Sequence, residues 1–264
     1  MTTDTLKVSV DNGIARITMN RPEVHNAFDD ALIRDLTAAL ERLEGDDSVR
    51  VVVLAGSGKS FSAGADLNWM RRMADYTWEE NYEDSRGLGR LMRTLNDLNR
   101  PTVARVHGAA MGGGVGLVAC CDIAIASDRA FFALSEVRLG LIPAVISPYV
   151  VTAMGERQAR RYFVTAERFD AATAKALGLL HEVVPHDILD DRLEQMLATM
   201  AGNGPRAMRA AKDLARAVSR GPIDDGMVDD TARRIADQRA SDEGKEGVGA
   251  FLEKRKPGWI PEKH

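Results

Sequence analysis

Apolar and polar residues alternate over Leu6-Lys7-Val8-Ser9-Val10 and again over Ile14-Ala15-Arg16-Ile17-Thr18-Met19. A period of two predicts half-buried strands, and Asp11-Asn12-Gly13 between them predicts the turn of a hairpin. From Asp29 the period lengthens: Leu32, Ile33, Leu36, Leu40 and Leu43 recur at helical spacing until Gly45 stops the run. Two continuous apolar runs, Val49 to Ala55 and Pro101 to Val106, read as buried strands. Each leads to a loop of small residues, Phe61-Ser62-Ala63-Gly64-Ala65-Asp66-Leu67 and Met111-Gly112-Gly113-Gly114, and then to a helical pattern. Ile123 to Ala126 and Ala130 to Ala133 are further short strands. Recurring strand–strand–helix units predict an α/β protein with sheets facing helices. Beyond about Ser147 the pattern becomes helical: Gly155 to Gly178, residues 187–219, and a last amphipathic helix from Thr231 to Arg255 before Pro257.

Composition narrows the class. The chain has 264 residues, 45% of them hydrophobic and 28% charged, as in an ordinary globular protein. A net charge of −4 argues against a general nucleic-acid surface. The first residues, Met1-Thr2-Thr3-Asp4, show no basic stretch followed by an apolar run, and no segment reaches the roughly 20 apolar residues of a membrane span. A cytoplasmic protein without a membrane partner is expected. Cys120 and Cys121 are sequence neighbours, unsuited to an ordinary disulfide, and read as small core residues. His25, His107, His181, His186 and His264 show no metal-ligand spacing, so no metal site is expected.

The two small-residue loops carry the chemistry. Small side chains let a backbone approach a ligand, and a helix start leaves N–H groups unpaired with the positive end of the dipole behind them. Two such amides, one per loop, could hold a developing enolate oxygen. Gly56-Ser57-Gly58-Lys59-Ser60 resembles a phosphate-binding loop, but Val53 stands where its first glycine belongs, so an exposed turn is expected instead. Gly112-Gly113-Gly114-Val115-Gly116 fits no dinucleotide register, because Leu117 follows where a glycine is needed. Glu136 lies in an otherwise apolar stretch just past a strand, where its charge is disfavoured and its carboxyl suits proton transfer; a salt bridge to Arg138 is the plainer role. Asp66 reads as a helix cap. Trp69, Tyr76, Trp78 and Tyr82 are candidates for an acyl pocket or for core packing.

Taken in order, Asn20-Arg21-Pro22, Phe61 to Leu67, Gly108-Ala109-Ala110-Met111-Gly112-Gly113-Gly114, Ala119-Cys120-Cys121-Asp122-Ile123-Ala124, Glu136 to Pro143 and Phe251-Leu252-Glu253-Lys254-Arg255 resemble the crotonase, or enoyl-CoA hydratase/isomerase, superfamily along nearly the whole chain. The resemblance implies a spiral of repeated ββα units over residues 1–195 and a helical C-terminal region, 196–264, used for trimerisation, with trimers pairing into hexamers. It implies an acyl-CoA thioester held with its carbonyl oxygen between the amides of Ala65 and Gly113, and no separate cofactor. Substrate contacts carried over are Glu23, Val24 and His25, then Ala63, Asp66, Leu67 and Asn68, then Gly112 and Gly116, with Arg138, and Phe251 and Lys254 at the nucleotide end. Glu23 stands where many members have lysine.

Hydratases of this superfamily use two glutamates around one water. The later maps to Glu136 and the earlier to Gly116, which has no side chain. A finer likeness, in Phe61 to Met70, Gly116 to Asp122 and Leu134 to Arg138, is to bacterial methylglutaconyl-CoA hydratases of leucine breakdown. Substrates of that kind carry a second carboxylate, for which Arg138, Arg71 and Arg72 are candidate partners. Glu80, Glu83 or Asp84 could supply the missing acid. The expectation is a lyase that adds water to a 2-enoyl-CoA. Alternatives are a 3-enoyl-CoA to 2-enoyl-CoA isomerase and a non-catalytic acyl-CoA-binding protein.

Overall fold

The computed structural model describes residues 3–219 and 221–260. Met1, Thr2 and His264, on which two of the expectations above touch, lie outside them. The chain opens with β1 (Leu6–Asp11) and β2 (Ile14–Met19), the expected hairpin, paired antiparallel around a turn at Asn12-Gly13. There follow α1 (Asp30–Glu44), β3 (Val51–Gly56), β4 (Ser60–Ser62), α2 (Leu67–Met73), α3 (Trp78–Asp97), β5 (Thr102–Val106), β6 (Ala109–Met111) and α4 (Gly113–Cys120). Next come β7 (Ile123–Ser127), β8 (Phe131–Ala133), α5 (Ser147–Met154), α6 (Glu156–Thr165), β9 (Phe169–Asp170), α7 (Ala171–Ala176) and β10 (Glu182–Val184). Four helices close the chain: α8 (Leu189–Ala201), α9 (Pro205–Val218), α10 (Asp225–Ala240) and α11 (Asp242–Leu252).

The strands divide between two sheets. One has the order β1-β2-β3-β5-β7-β10 and the other β4-β6-β8-β9. The pairs β3–β4, β5–β6 and β7–β8 each give their first strand to the large sheet and their second to the small one before crossing over through helix, whereas β1 and β2 both lie in the large sheet. This is the α/β class that the pattern predicted, in the spiral of ββα units that the resemblance implied. β3, β5 and β7 run parallel with apolar side chains on both faces. One face packs in the main core with Leu32, Leu36 and Leu40 of α1, and the other, through Val51, Val53, Val103 and Ile125, packs on Leu189, Leu193 and Leu197 of α8. Sheets buried on both faces read as continuous apolar runs, which is why these strands were visible in the sequence.

Some expectations need correcting. The second small-residue loop does not follow β5 directly, because β6 intervenes. The stretch from Gly155 to Gly178 is two helices split by β9, and residues 187–219 are α8 and α9, parted at Gly202 to Gly204. The last helix is likewise two, broken at Ser241, whose hydroxyl accepts from the Gly244 amide and caps α11. The change to all-helix comes after β10, and residue 196 falls inside α8. Cys120 and Cys121 are buried as expected, with both thiols pushed up by burial, Cys121 to about 12.

Candidate active site

The small sheet positions the site. β4, β6 and β8 are parallel neighbours, with Ser62 beside Ala110 and Ala110 beside Phe132. Adjacent strands lie about 4.8 Å apart, so the residues leaving their ends emerge side by side. After β4 come Ala63, Gly64 and Ala65; after β6, Gly112 and Gly113; after β8, Ser135 and Glu136. All seven line one cavity of about 710 Å³, while Leu134, between β8 and Ser135, stays in the core.

Ala65 is aimed by a single bridge. Phe28 pairs with it in parallel: the Phe28 amide donates to Gly64 O at 2.6 Å and the Asp66 amide donates to Phe28 O at 2.8 Å. Those bonds use the groups on either side of Ala65, so the N–H of Ala65 itself points the other way. Gly113 is the first residue of α4, where a helix leaves its amides without an internal acceptor. Among the described residues neither amide donates a backbone hydrogen bond. Gly112 takes a left-handed φ of 49°, and a Cβ there would lie 3.0 Å from Glu136 Oε1. The carboxyl of Glu136 therefore sits against the turn that presents Gly113. The loops also touch, since a Cβ on Gly64 would lie 3.2 Å from Met111 O.

Glu136 opens a short 3-10 turn, Glu136–Leu139. Burial holds its carboxyl above the ordinary glutamate range, and Oε2 is buried without a hydrogen-bond partner among the described residues. The anticipated pairing with Arg138 does not form, because Arg138 donates to Ala166 O at 2.8 Å instead. A desolvated carboxyl with one oxygen unpartnered, beside two amides without backbone acceptors, can exchange a proton with a bound molecule whose oxygen those amides hold.

The remaining wall is mostly apolar: Trp69, Met70 and Met73 of α2, Leu88 of α3, and Leu139 to Ile146. Asn81, Asp84 and Ser85 add a polar strip from α3. Asp84 accepts from Trp69 Nε1 at 3.0 Å, and burial raises its carboxyl from the ordinary value. Of the three acids the sequence put forward, only Asp84 reaches the cavity. Glu80 is used in a capping box with Thr77, and Glu83 pairs with Arg86. No Lys or Arg lines the wall among the described residues. Arg138 and Arg71 make other contacts, to Ala166 and Asn68, and Arg72 pairs with Asp30.

Ala63, Ala65, Gly112, Gly113 and Glu136 thus share one cavity, whereas other expected residues lie outside its wall. Glu23, Val24 and His25 form the turn beside it, with His25 O accepting from the Ala63 amide at 3.0 Å. Asp66 caps α2 and pairs with Arg21; its amide donors and that guanidinium outweigh burial and hold its carboxyl low. Leu67 and Asn68 begin α2, with Leu67 exposed. Phe251, also exposed, ends α11, and Lys254 follows just beyond. Trp78 and Tyr82 stack on each other in solvent. Gly116 needs the plainest correction: it is buried behind Ile146, and a Cβ there would fall 2.3 Å from Ile146 Cγ2. The place a second glutamate would take is filled by that isoleucine, thirty positions on, which no local pattern reveals.

Over residues 9–262 the chain matches the Enoyl-CoA hydratase/isomerase family. It belongs to that family and stands in it with the enoyl-CoA hydratase lyases. Similar solved structures include an enoyl-CoA hydratase from Shewanella pealeana, 46% identical over 97% of this chain and 96% of that one, with a TM-score of 0.93. AtuE of Pseudomonas aeruginosa is 39% identical over 97% and 100%, also at 0.93. The 2,3-dehydroadipyl-CoA hydratase of Escherichia coli K12 is 33% identical over 254 residues, 96% of this chain and 97% of its own.

Proposed function

We propose that the protein adds water across the double bond of a 2-enoyl-CoA thioester, or removes it in reverse. The thioester oxygen lodges between the amides of Ala65 and Gly113 and takes up charge as an enolate. Glu136 orients the water, accepts its proton and returns one to C2. The observation behind this reading is that two amides without a backbone acceptor and a carboxyl whose Oε2 is buried without a partner, among the described residues, line the same cavity. Glu23, Val24, His25, Asp66, Leu67 and Asn68 at its rim are proposed contacts for the CoA portion, and Phe251 and Lys254 for its nucleotide end across a subunit boundary. Trimers, or hexamers built from them, are proposed as the working assembly.

Methylglutaconyl-CoA is the first substrate to try, on the strength of the sequence resemblance. Among the described residues its second carboxylate would meet the polar side chains of Asn81 and Ser85 rather than a Lys or Arg. The test is Glu136→Gln, which keeps shape and removes the base. Loss of the enoyl-thioester absorbance on hydration is expected to slow by about 10²–10⁴-fold. Unchanged hydration by the variant would dismiss the assignment.

Ile146 favours a second reading. With the other acid's place filled, a lone carboxyl suffices to carry a proton from C2 to C4, so the same site would isomerise a 3-enoyl-CoA. Formation of the conjugated thioester without hydroxyacyl product would select it. Binding of CoA esters with no turnover of either kind would leave only a binding protein.

A further inference from the structure

The Phe28–Ala65 bridge is gripped from outside the cavity by one side chain. Arg21 lies just beyond β2, and its Nη1 donates to Ala27 O at 2.6 Å. Its Nη2 lies 3.0 Å from Asp66 Oδ2 and 3.0 Å from Asp29 Oδ2. Ala27 and Asp29 flank Phe28, and Asp66 follows Ala65, so a single guanidinium ties both halves of the bridge together. The second oxygen of Asp66 accepts from the amides of Asn68 and Trp69, which fixes the start of α2 relative to Ala65. Phe28 continues the chain of contact on its far side. A Cβ on Gly113 would lie 3.0 Å from Phe28 Cε2, so the ring rests directly on the second amide's residue.

We propose that Arg21 is a positioning residue for the oxyanion hole: by clamping Ala27, Asp29 and Asp66 it fixes the spacing and aim of the Ala65 and Gly113 amides. This rests on the reading of those amides given above. Arg21 does not line the cavity, so its influence passes through the backbone and the Phe28 ring. The planar guanidinium fork is what the geometry requires. It bonds a carbonyl with one nitrogen and two carboxylates with another, which the single ammonium of lysine cannot reproduce. Displacing a reacting group by about 1 Å from a distance is enough to cost about 10²-fold in rate.

Arg21→Lys and Arg21→Gln test this, with an unfolding midpoint recorded for each. Two readouts go beyond folding: the split of KM from kcat on a 2-enoyl-CoA, and the absorption of a bound, conjugated dienoyl-CoA, which moves to longer wavelength as its carbonyl is polarised. For Arg21→Lys a fall in kcat of about 10- to 100-fold is expected, short of the effect of losing a donor outright. KM should stay within about threefold, and the red shift should shrink. Arg21→Gln leaves Asp29 and Asp66 facing each other unneutralised; should it fail to fold, the lysine variant decides. A folded Arg21→Lys protein with the parent's kcat and the parent's red shift would overturn the proposal. So would a loss confined to the fraction of folded protein. If the parent itself produces no red shift, the reading of the two amides fails as well, and the two failures are thereby told apart.

Discussion

Glu136 and Gly116 show how little separates legible from illegible residues. The two small-residue loops and Glu136 stood out locally, by small size next to a helix start and by charge in an apolar run, and the resemblance then pointed to Ala65, Gly113 and Glu136. Gly116 was marked only as lacking a side chain, and what takes up its place, Ile146, could not be read. A methyl group added at Gly116 would fall 2.3 Å from Ile146 Cγ2. Gly116→Ala should therefore cost about 1–3 kcal/mol through overpacking, and together with Ile146→Ala, which removes Cγ2 where valine would keep it, it should cost less than the two changes do separately, as denaturant midpoints would show. Arg138 was misjudged for a related reason: a sequence gives an arginine's place but not its direction. Glu136 also sets the pH response. Burial raises its carboxyl, and a base must be ionised, so kcat/KM should fall with pH through a value above the ordinary glutamate range. For stability the sign is the opposite. A raised carboxyl binds its proton more tightly in the folded chain, so its favourable contribution is complete below the unfolded value and is lost as pH rises through the folded one. Glu136→Gln should accordingly be no less stable than the parent at neutral pH while losing activity, a trade visible by thermal unfolding.

Among the elements, length decided what could be read. β1 to β3, α1 and β5 carry a full period or an unbroken apolar run. β6 and β9 span three and two residues, too few for any period to show, while β8, as short as β6, showed through its paired phenylalanines rather than through any period. The break between α10 and α11 was hidden because Ser241 interrupts the backbone without interrupting the amphipathic pattern. Asp84 could not be chosen over Glu80 and Glu83 until the start of α3 was fixed, since a shift of one residue turns a helix by about 100°. That start is set by a reciprocal cap: the Glu80 amide donates to Thr77 Oγ1 at 3.2 Å, and the Thr77 amide donates to Glu80 Oε2 at 2.7 Å. Thr77→Ala should cost about 1 kcal/mol. Because the same turns carry Asn81, Asp84 and Ser85 to the cavity, KM for the acyl-CoA should rise with little change in kcat. Steady-state kinetics beside a denaturant titration would check both.

Over the whole molecule, the described surface leaves apolar side chains in excess at the C-terminal end. Val228 and Ile235 stand seven apart on α10, and Val248, Phe251 and Leu252 share a face of α11, all exposed in the single chain. Contiguous exposed apolar surface marks an interaction site. Light scattering after size exclusion should give a mass of three or six chains, and Val228→Asp combined with Ile235→Asp should lower it. Among the described residues no helix is long and apolar enough to cross a membrane, and no cluster of three or more His, Cys, Asp or Glu residues could hold a metal ion. The division of strands between two sheets has a consequence for descent. Groups that would perform the chemistry hang from β4, β6 and β8, while the surface that would meet the acyl tail is built from α2, α3 and residues 139–146. Drift in the helices can retune what is accepted without disturbing how it is transformed, so exchanging residues 67–97 between related chains ought to transplant taste and leave the reaction intact.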